Sequence, residues 1–204
     1  MWLYRTGWPR SVEAHAASLV DQAHVALPGS APDAKVCYWY TGCVGHMVLD
    51  SSALVTLAGA DALPLLALSA HKSLTVSEVY RETVEQGLAK GYPDAVAIAG
   101  LFEQGIVTIQ DPRRKEKLAG ISRTDSLVLL LAQEVSAAAL LVNDQVLLRK
   151  AEQRGLAAQF SAEFVQELYH TGRISRRRRD RVFRDFVTNE RYTEEFVEAL
   201  LLRR

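Results

Sequence analysis

The stretch "MVLDSSALVTLAG", Met47 to Gly59, sets an aspartate and two serines between two apolar runs. Asp50 there has two readings. It caps a following helix, accepting from the free N–H groups of the first turn, or it holds a metal. Three more acids share its kind of position. Asp144 ends the apolar run "ALLVND", Asp125 opens the helical stretch "TDSLVLLLAQEV", and Glu82 lies in "EVYRETVEQGLAKG". Each has a plain structural account: Asp144 caps its own helix, Asp125 favours a helix dipole, and Glu82 is a solvated acid on an exposed face. Jointly, two strand-end acids and a helix-start acid in one unit form a specific arrangement. Crowded carboxylates repel and raise one another's pKa unless a cation neutralises them.

The elements that must carry these acids alternate strand and helix. "MVLD", "SLTVS", "IVTIQ" and "AALLVND" read as strands. "SALVTLAGADALPLLALSA" reads as helical material interrupted near Pro64, and "DAVAIAGLFEQG" and "QVLLRKAEQRG" as helices, the last stopped by Gly155. "DPRRKEKLAG" is a charged loop. Strands apolar throughout, alternating with helices, indicate an α/β domain whose parallel sheet is covered on both faces. Ligands collect at the carboxyl ends of such strands, the edge where Asp50 and Asp144 are expected.

Composition narrows the class. The chain has 204 residues, 49% of them hydrophobic, with 24 basic and 24 acidic residues, so no overall field steers it to nucleic acid or membrane. Two cysteines, Cys37 and Cys43, are too few for a disulfide framework and wider apart than a C-x-x-C site. His15, His24 and His46 share no metal-ligand spacing. No apolar run reaches the roughly eighteen residues of a membrane span, and no basic-then-apolar signal opens the chain. The expectation is a cytoplasmic protein that makes no membrane contact. Residues 1–46 read as an N-terminal extension, with a short helix in "VEAHAASLVDQAHVAL" and a linker in "PGSAPDAK". They are expected to be mobile or an artefact of start-site choice, the domain running over 47–204 with a C-terminal helical part from about 161.

In order along the chain, "VLDSSALVTL", "VYRETV", "RTDSLVLLLAQE" and "LLVNDQVLLRKAEQRGL" resemble a PIN domain, the nuclease fold of VapC-type toxins and their relatives. The resemblance runs from about Met47 to Leu156 and is expected to continue to the C-terminus. It implies a three-layer α/β/α fold with a central, mainly parallel sheet and added C-terminal helices. It also implies that Asp50, Glu82, Asp125 and Asp144 form an acidic catalytic site holding Mg²⁺ or Mn²⁺. Such hard ions take oxygen ligands, often one or two carboxylates plus waters and substrate phosphate. The implied reaction is endonucleolytic hydrolysis of RNA, held off by an antitoxin where the protein is a toxin. The residues alone do not separate RNA from single-stranded DNA. Glu78, one turn before Glu82, lies on the same helix face and is the alternative inward acid. Asn143 stands where some relatives have a second aspartate.

A local charge closes the chain. "GRISRRRRDRVFR", Gly172 to Arg184, holds seven arginines against one aspartate. It is a solvated helix face, or a phosphate-tracking patch centred on Arg176, Arg177, Arg178 and Arg179. The last helix, "TEEFVEALLLRR", gathers Phe196, Val197, Leu200 and Leu201 on one side, to pack on the body or on a second subunit of a homodimer. Two functions from different classes follow: a metal-dependent ribonuclease, or a non-catalytic PIN-like RNA-binding or regulatory module. A response-regulator-like domain is a more distant third, disfavoured because no lysine follows Lys150.

Overall fold

Residues buried on alternate sides of a strand need cover on both faces, and Met47, Val48 and Leu49 are all buried in succession. They belong to β1 (His46–Leu49), the central strand of the computed structural model, which describes residues 45–202. The short helix expected in "VEAHAASLVDQAHVAL", the linker, His15, His24, Cys37 and Cys43 lie outside the described residues. β1 pairs in parallel with β2 (Lys72–Thr75), with Val48 opposite Leu74, and with β4 (Ala139–Leu141), with Leu49 opposite Leu141. β3 (Val107–Ile109) joins β2 and β5 (Ala158–Gln159) joins β4, both in parallel, so the sheet order is β3-β2-β1-β4-β5. The chain builds outward on one side of β1 and then returns to build on the other. The crevice between the ends of β1 and β4 is therefore the topological switch point, where an open α/β sheet receives ligands.

Helices complete a three-layer α/β/α fold. α1 (Ser51–Gly59) starts directly at Asp50, and a 3₁₀ turn (Leu63–Leu68) follows where Pro64 interrupts the helical run. α2 spans 77–89 and is not uniform: α-helical Ser77–Tyr80 passes into a π segment, Arg81–Glu85, before α-helical Gln86–Ala89. α3 (Pro93–Glu103) lies close against α2 at Gly87, where a Cβ would stand 2.7 Å from that of Ala95. α4 (Arg123–Glu134) is polar at both ends and continuously apolar and buried from Leu127 to Ala132. α5 (Gln145–Glu152) is followed by Gly155 at φ +72°, a left-handed conformation suited to glycine.

The last third of the chain is helical. α6 (Ser161–His170), α7 (Arg176–Thr188) and α8 (Glu194–Leu202) share one hydrophobic cluster with the sheet. Tyr192 stacks on Phe196 at 5.1 Å, and Phe160 meets Phe196 edge-on at 5.7 Å. Phe196, Val197 and Leu200 are buried as the apolar stripe predicts, whereas Leu201 is exposed. Among the described residues, no helix is long and apolar enough to cross a membrane.

Candidate functional site

Asp50 occupies the N-cap of α1, with extended backbone (φ −91°, ψ 160°). Its Oδ2 accepts the Ser52 N–H at 3.0 Å and the Ser52 hydroxyl, so the capping reading is correct as far as it goes. The residue is only 3% exposed. Burial pushes its carboxyl up to about 6; the Ser52 hydroxyl opposes that rise, and the negative charge of Asp125 adds to it. A cap alone does not require such a buried, reluctant charge.

Glu82 sits in the π segment of α2, a kind of irregularity frequent at functional sites. Its Oε2 accepts the Ser51 hydroxyl at 3.2 Å, and its Oε1 accepts the Thr124 hydroxyl at 2.6 Å. Glu82 thus bridges the residue after Asp50 and the residue before Asp125. Glu78 turns elsewhere, accepting the Ser77 hydroxyl at 2.9 Å and standing 3.9 Å from Arg123 Nε. Asp125 heads α4 in a capping box with Ser122: its Oδ2 accepts the Ser122 N–H at 3.1 Å, and its own N–H donates to Ser122 Oγ at 3.0 Å. Asp144 is exposed and caps α5, its Oδ1 accepting the Leu147 N–H at 2.8 Å. The Asp50 N–H donates to the Leu141 carbonyl at 3.1 Å, which ties the strand end leading to Asp144 to that leading from β1.

Asp50, Glu82 and Asp125 are therefore linked through hydroxyls and charge, while Asp144 stands at the same sheet edge, engaged with its own helix. Among the described residues, no group of three or more His, Cys, Asp or Glu side chains is disposed to hold a metal ion. The donor chemistry still suits a hard divalent ion. Every candidate donor is oxygen, and Mg²⁺ is commonly held by one or two carboxylates with waters and substrate phosphate completing its shell. The serine and threonine partners carried no signal of their own in the sequence beyond lying next to an acid. Asp111, another acid just past a strand, was overlooked: it accepts the Ser77 N–H at 2.9 Å, capping α2 from a distant segment.

The arginines of α7 do not form one uniform patch. Arg179 is inward, its guanidinium 4.2 Å from the Tyr169 ring centre and its Nε and Nη2 donating to Asp180 Oδ1 at 2.9 and 2.7 Å. Arg178 Nη2 donates to the Asp61 carbonyl at 2.8 Å. Arg176 is exposed, 3.5 Å from Asp180 Oδ2, and Arg177 is exposed. Arg176 and Arg179 line an open cavity of about 530 Å³ with Gln166, Tyr169 and His170. That cavity lies at the far end of α6, which leaves the strand ends at Ser161.

The fold and the acidic edge define a class: a parallel α/β domain presenting carboxylates at its switch point. The chain belongs to the PIN-domain family, since the family model DUF3368, a PIN domain, matches residues 46–203. Members of that family are generally nucleases and generally use divalent metal ions. A solved PilT N-terminus domain protein from the hyperthermophilic archaeon Sulfolobus solfataricus P2 is similar at 19% identity, covering 58% of this chain and 89% of that one, with a TM-score of 0.43. No curated protein matches the chain.

Proposed function

We propose that this PIN domain is an endoribonuclease dependent on Mg²⁺ or Mn²⁺. The observation that carries the reading is the Asp50–Ser51–Glu82–Thr124 linkage at the switch point, with Asp50 buried and its carboxyl raised toward neutrality by burial and by Asp125. Asp50, Glu82, Asp125 and Asp144 would hold the ion. When bound, a divalent ion supplies Lewis acidity toward a phosphodiester and acidifies water. The chain's own contribution is to hold the carboxylates aligned: Ser52 fixes one oxygen of Asp50, and Ser51 and Thr124 fix both oxygens of Glu82. The exposed guanidiniums of Arg176 and Arg177, with Arg178, would track the phosphates of an RNA strand. The reading extends to action in the cytoplasm as a toxin restrained by an antitoxin protein, to a homodimer, and to a catalytic domain over 47–204 that does not need residues 1–46.

The test uses protein refolded free of any inhibitor. With Mg²⁺ or Mn²⁺ it should cut single-stranded RNA internally, EDTA should stop it, and Asp50→Asn should abolish cleavage while RNA affinity persists. If wild type and Asp50→Asn bind RNA alike and neither cuts any of a broad RNA panel, the binding-module reading replaces this one.

A further inference from the structure

Three hydrogen bonds converge on Asn143, the residue before Asp144. Its Oδ1 accepts from the Ser161 N–H at 3.0 Å and from the Tyr192 hydroxyl at 2.7 Å, and its own backbone N–H donates to Ser52 Oγ at 2.9 Å. The Ser52 hydroxyl donates in turn to Asp50. A continuous path thus runs from Tyr192 through Asn143 and Ser52 to the buried carboxylate, and its two outer members are fixed. Asn143 is 3% exposed and Tyr192 is 4% exposed. The Tyr192 oxygen also accepts the Ala162 N–H at 3.3 Å, and its ring is clamped between a stacked Phe196 and an edge-on Phe186, each 5.1 Å away. Burial holds the phenol far above its ordinary range, so it keeps the proton it donates.

We propose that Tyr192 is a positioning residue for the acidic edge: through Asn143 it sets both the peptide that leads into Asp144 and the hydroxyl that orients Asp50. The inference rests on the nuclease reading. It makes the C-terminal helices part of the site's second layer of contacts, although they bear none of the four acids. Partners of that kind typically change metal affinity or activity about 10–100-fold when removed.

Binding of Mn²⁺ alone, measured by calorimetry and by electron paramagnetic resonance of the free ion, separates the outcomes. Tyr192→Phe removes one oxygen and keeps the ring, so its thermal melt should stay cooperative. Its Mn²⁺ dissociation constant should rise about tenfold, with kcat falling and KM for RNA unchanged. Asn143→Ala should do the same, and the double variant should be no worse than either single one, because both break one path. Val197→Ala, which trims the packing of α8, the helix that follows Tyr192, without touching the path, should bind Mn²⁺ as wild type does. Equal weakening by Val197→Ala and Tyr192→Phe would mean a general loss of stability and overturn the proposal. So would wild-type affinity in Tyr192→Phe while Asp144→Asn loses binding, an outcome that leaves the nuclease reading standing. Absence of Mn²⁺ binding in the wild type, or indifference to Asp144→Asn, would overturn both.

Discussion

Asp50→Asn separates the cost of a buried charge from the rest of the fold. The carboxyl of Asp50 lies at about 6 in the folded chain against an ordinary 3.8, with burial the leading cause. One pKa unit is worth about 1.4 kcal/mol, so ionising this group costs the fold about 3 kcal/mol. The sign follows from proton binding. Below pH 4 the carboxyl is protonated in both folded and unfolded chains, and nothing is lost. Between pH 4 and 6 the unfolded chain releases its proton first, the folded chain binds more, and stability falls as pH rises. Above about pH 7 the loss is complete. Asparagine keeps the shape and does not titrate. Urea unfolding in EDTA at each unit from pH 4 to pH 8 should therefore show the wild type losing about 3 kcal/mol relative to Asp50→Asn, or roughly 6–12 °C in Tm for a domain of this size. Mn²⁺ at pH 8 should return much of that stability to the wild type and little to the variant, because the ion favours the ionised carboxylate. A difference between the two proteins that stays within about 0.5 kcal/mol across the whole range would refute the reasoning, since a cap in contact with water would behave that way.

Other perturbations have equally definite outcomes. Thr124→Val removes the hydroxyl on Glu82 Oε1, and RNA cleavage should fall about tenfold or more with the melting temperature little changed, as measured by single-turnover kinetics. Arg179→Gln should destabilise the fold by about 1–3 kcal/mol, because it strips the Tyr169 ring and Asp180 of a buried guanidinium. Arg177→Gln should leave stability alone and lower the salt slope of RNA binding by about one, read by titration at several salt concentrations. Gly87→Val should cost several kcal/mol in chemical denaturation by forcing α2 and α3 apart at Ala95. A chain beginning at Met47 should remain soluble and melt cooperatively; loss of folding would make residues 1–46 part of the core.

The strands that position the acids were legible because apolar runs such as "HMVL" and "ALL" have no other way to satisfy burial on both sides. The acid after the strand was a weaker signal. Asp50, Asp111 and Asp144 all follow strands, yet Asp111 serves a helix that begins at Ser77 and an ion pair with Lys115, 3.1 Å away. Only the fold separates such a brace from the buried carboxylate of Asp50. Spacing left Glu78 and Glu82 on one face, and their partners part them, Ser77 and Arg123 for the first, Ser51 and Thr124 for the second. β5 escaped notice because two residues paired along one edge leave no run to read. Tyr192 escaped for another reason: its partner Asn143 is 49 positions away, a distance no local pattern spans. The four adjacent arginines read as one patch, but successive helical residues point in different directions, so Arg179 is buried while Arg177 is exposed.

The π segment of α2 settles a conflict of phase. Glu82 must look toward Ser51 and Thr124, while Gly87, five residues on, must look toward Ala95. Five residues of regular α-helix turn about 140° past a full revolution, which fixes one relation between those two directions. Here the Gln86 N–H reaches back to the Arg81 carbonyl, a bond spanning five residues, and the helix is wound more loosely over that turn. The extra residue works as a phase shifter: it lets one helix obey two neighbours whose demands a uniform spiral would not meet together. Deleting one of residues 83–85, between the glutamate and Gly87, would restore the regular spiral and force a choice, either keeping the tight seam with α3 and swinging the glutamate aside, or keeping the glutamate and opening the seam.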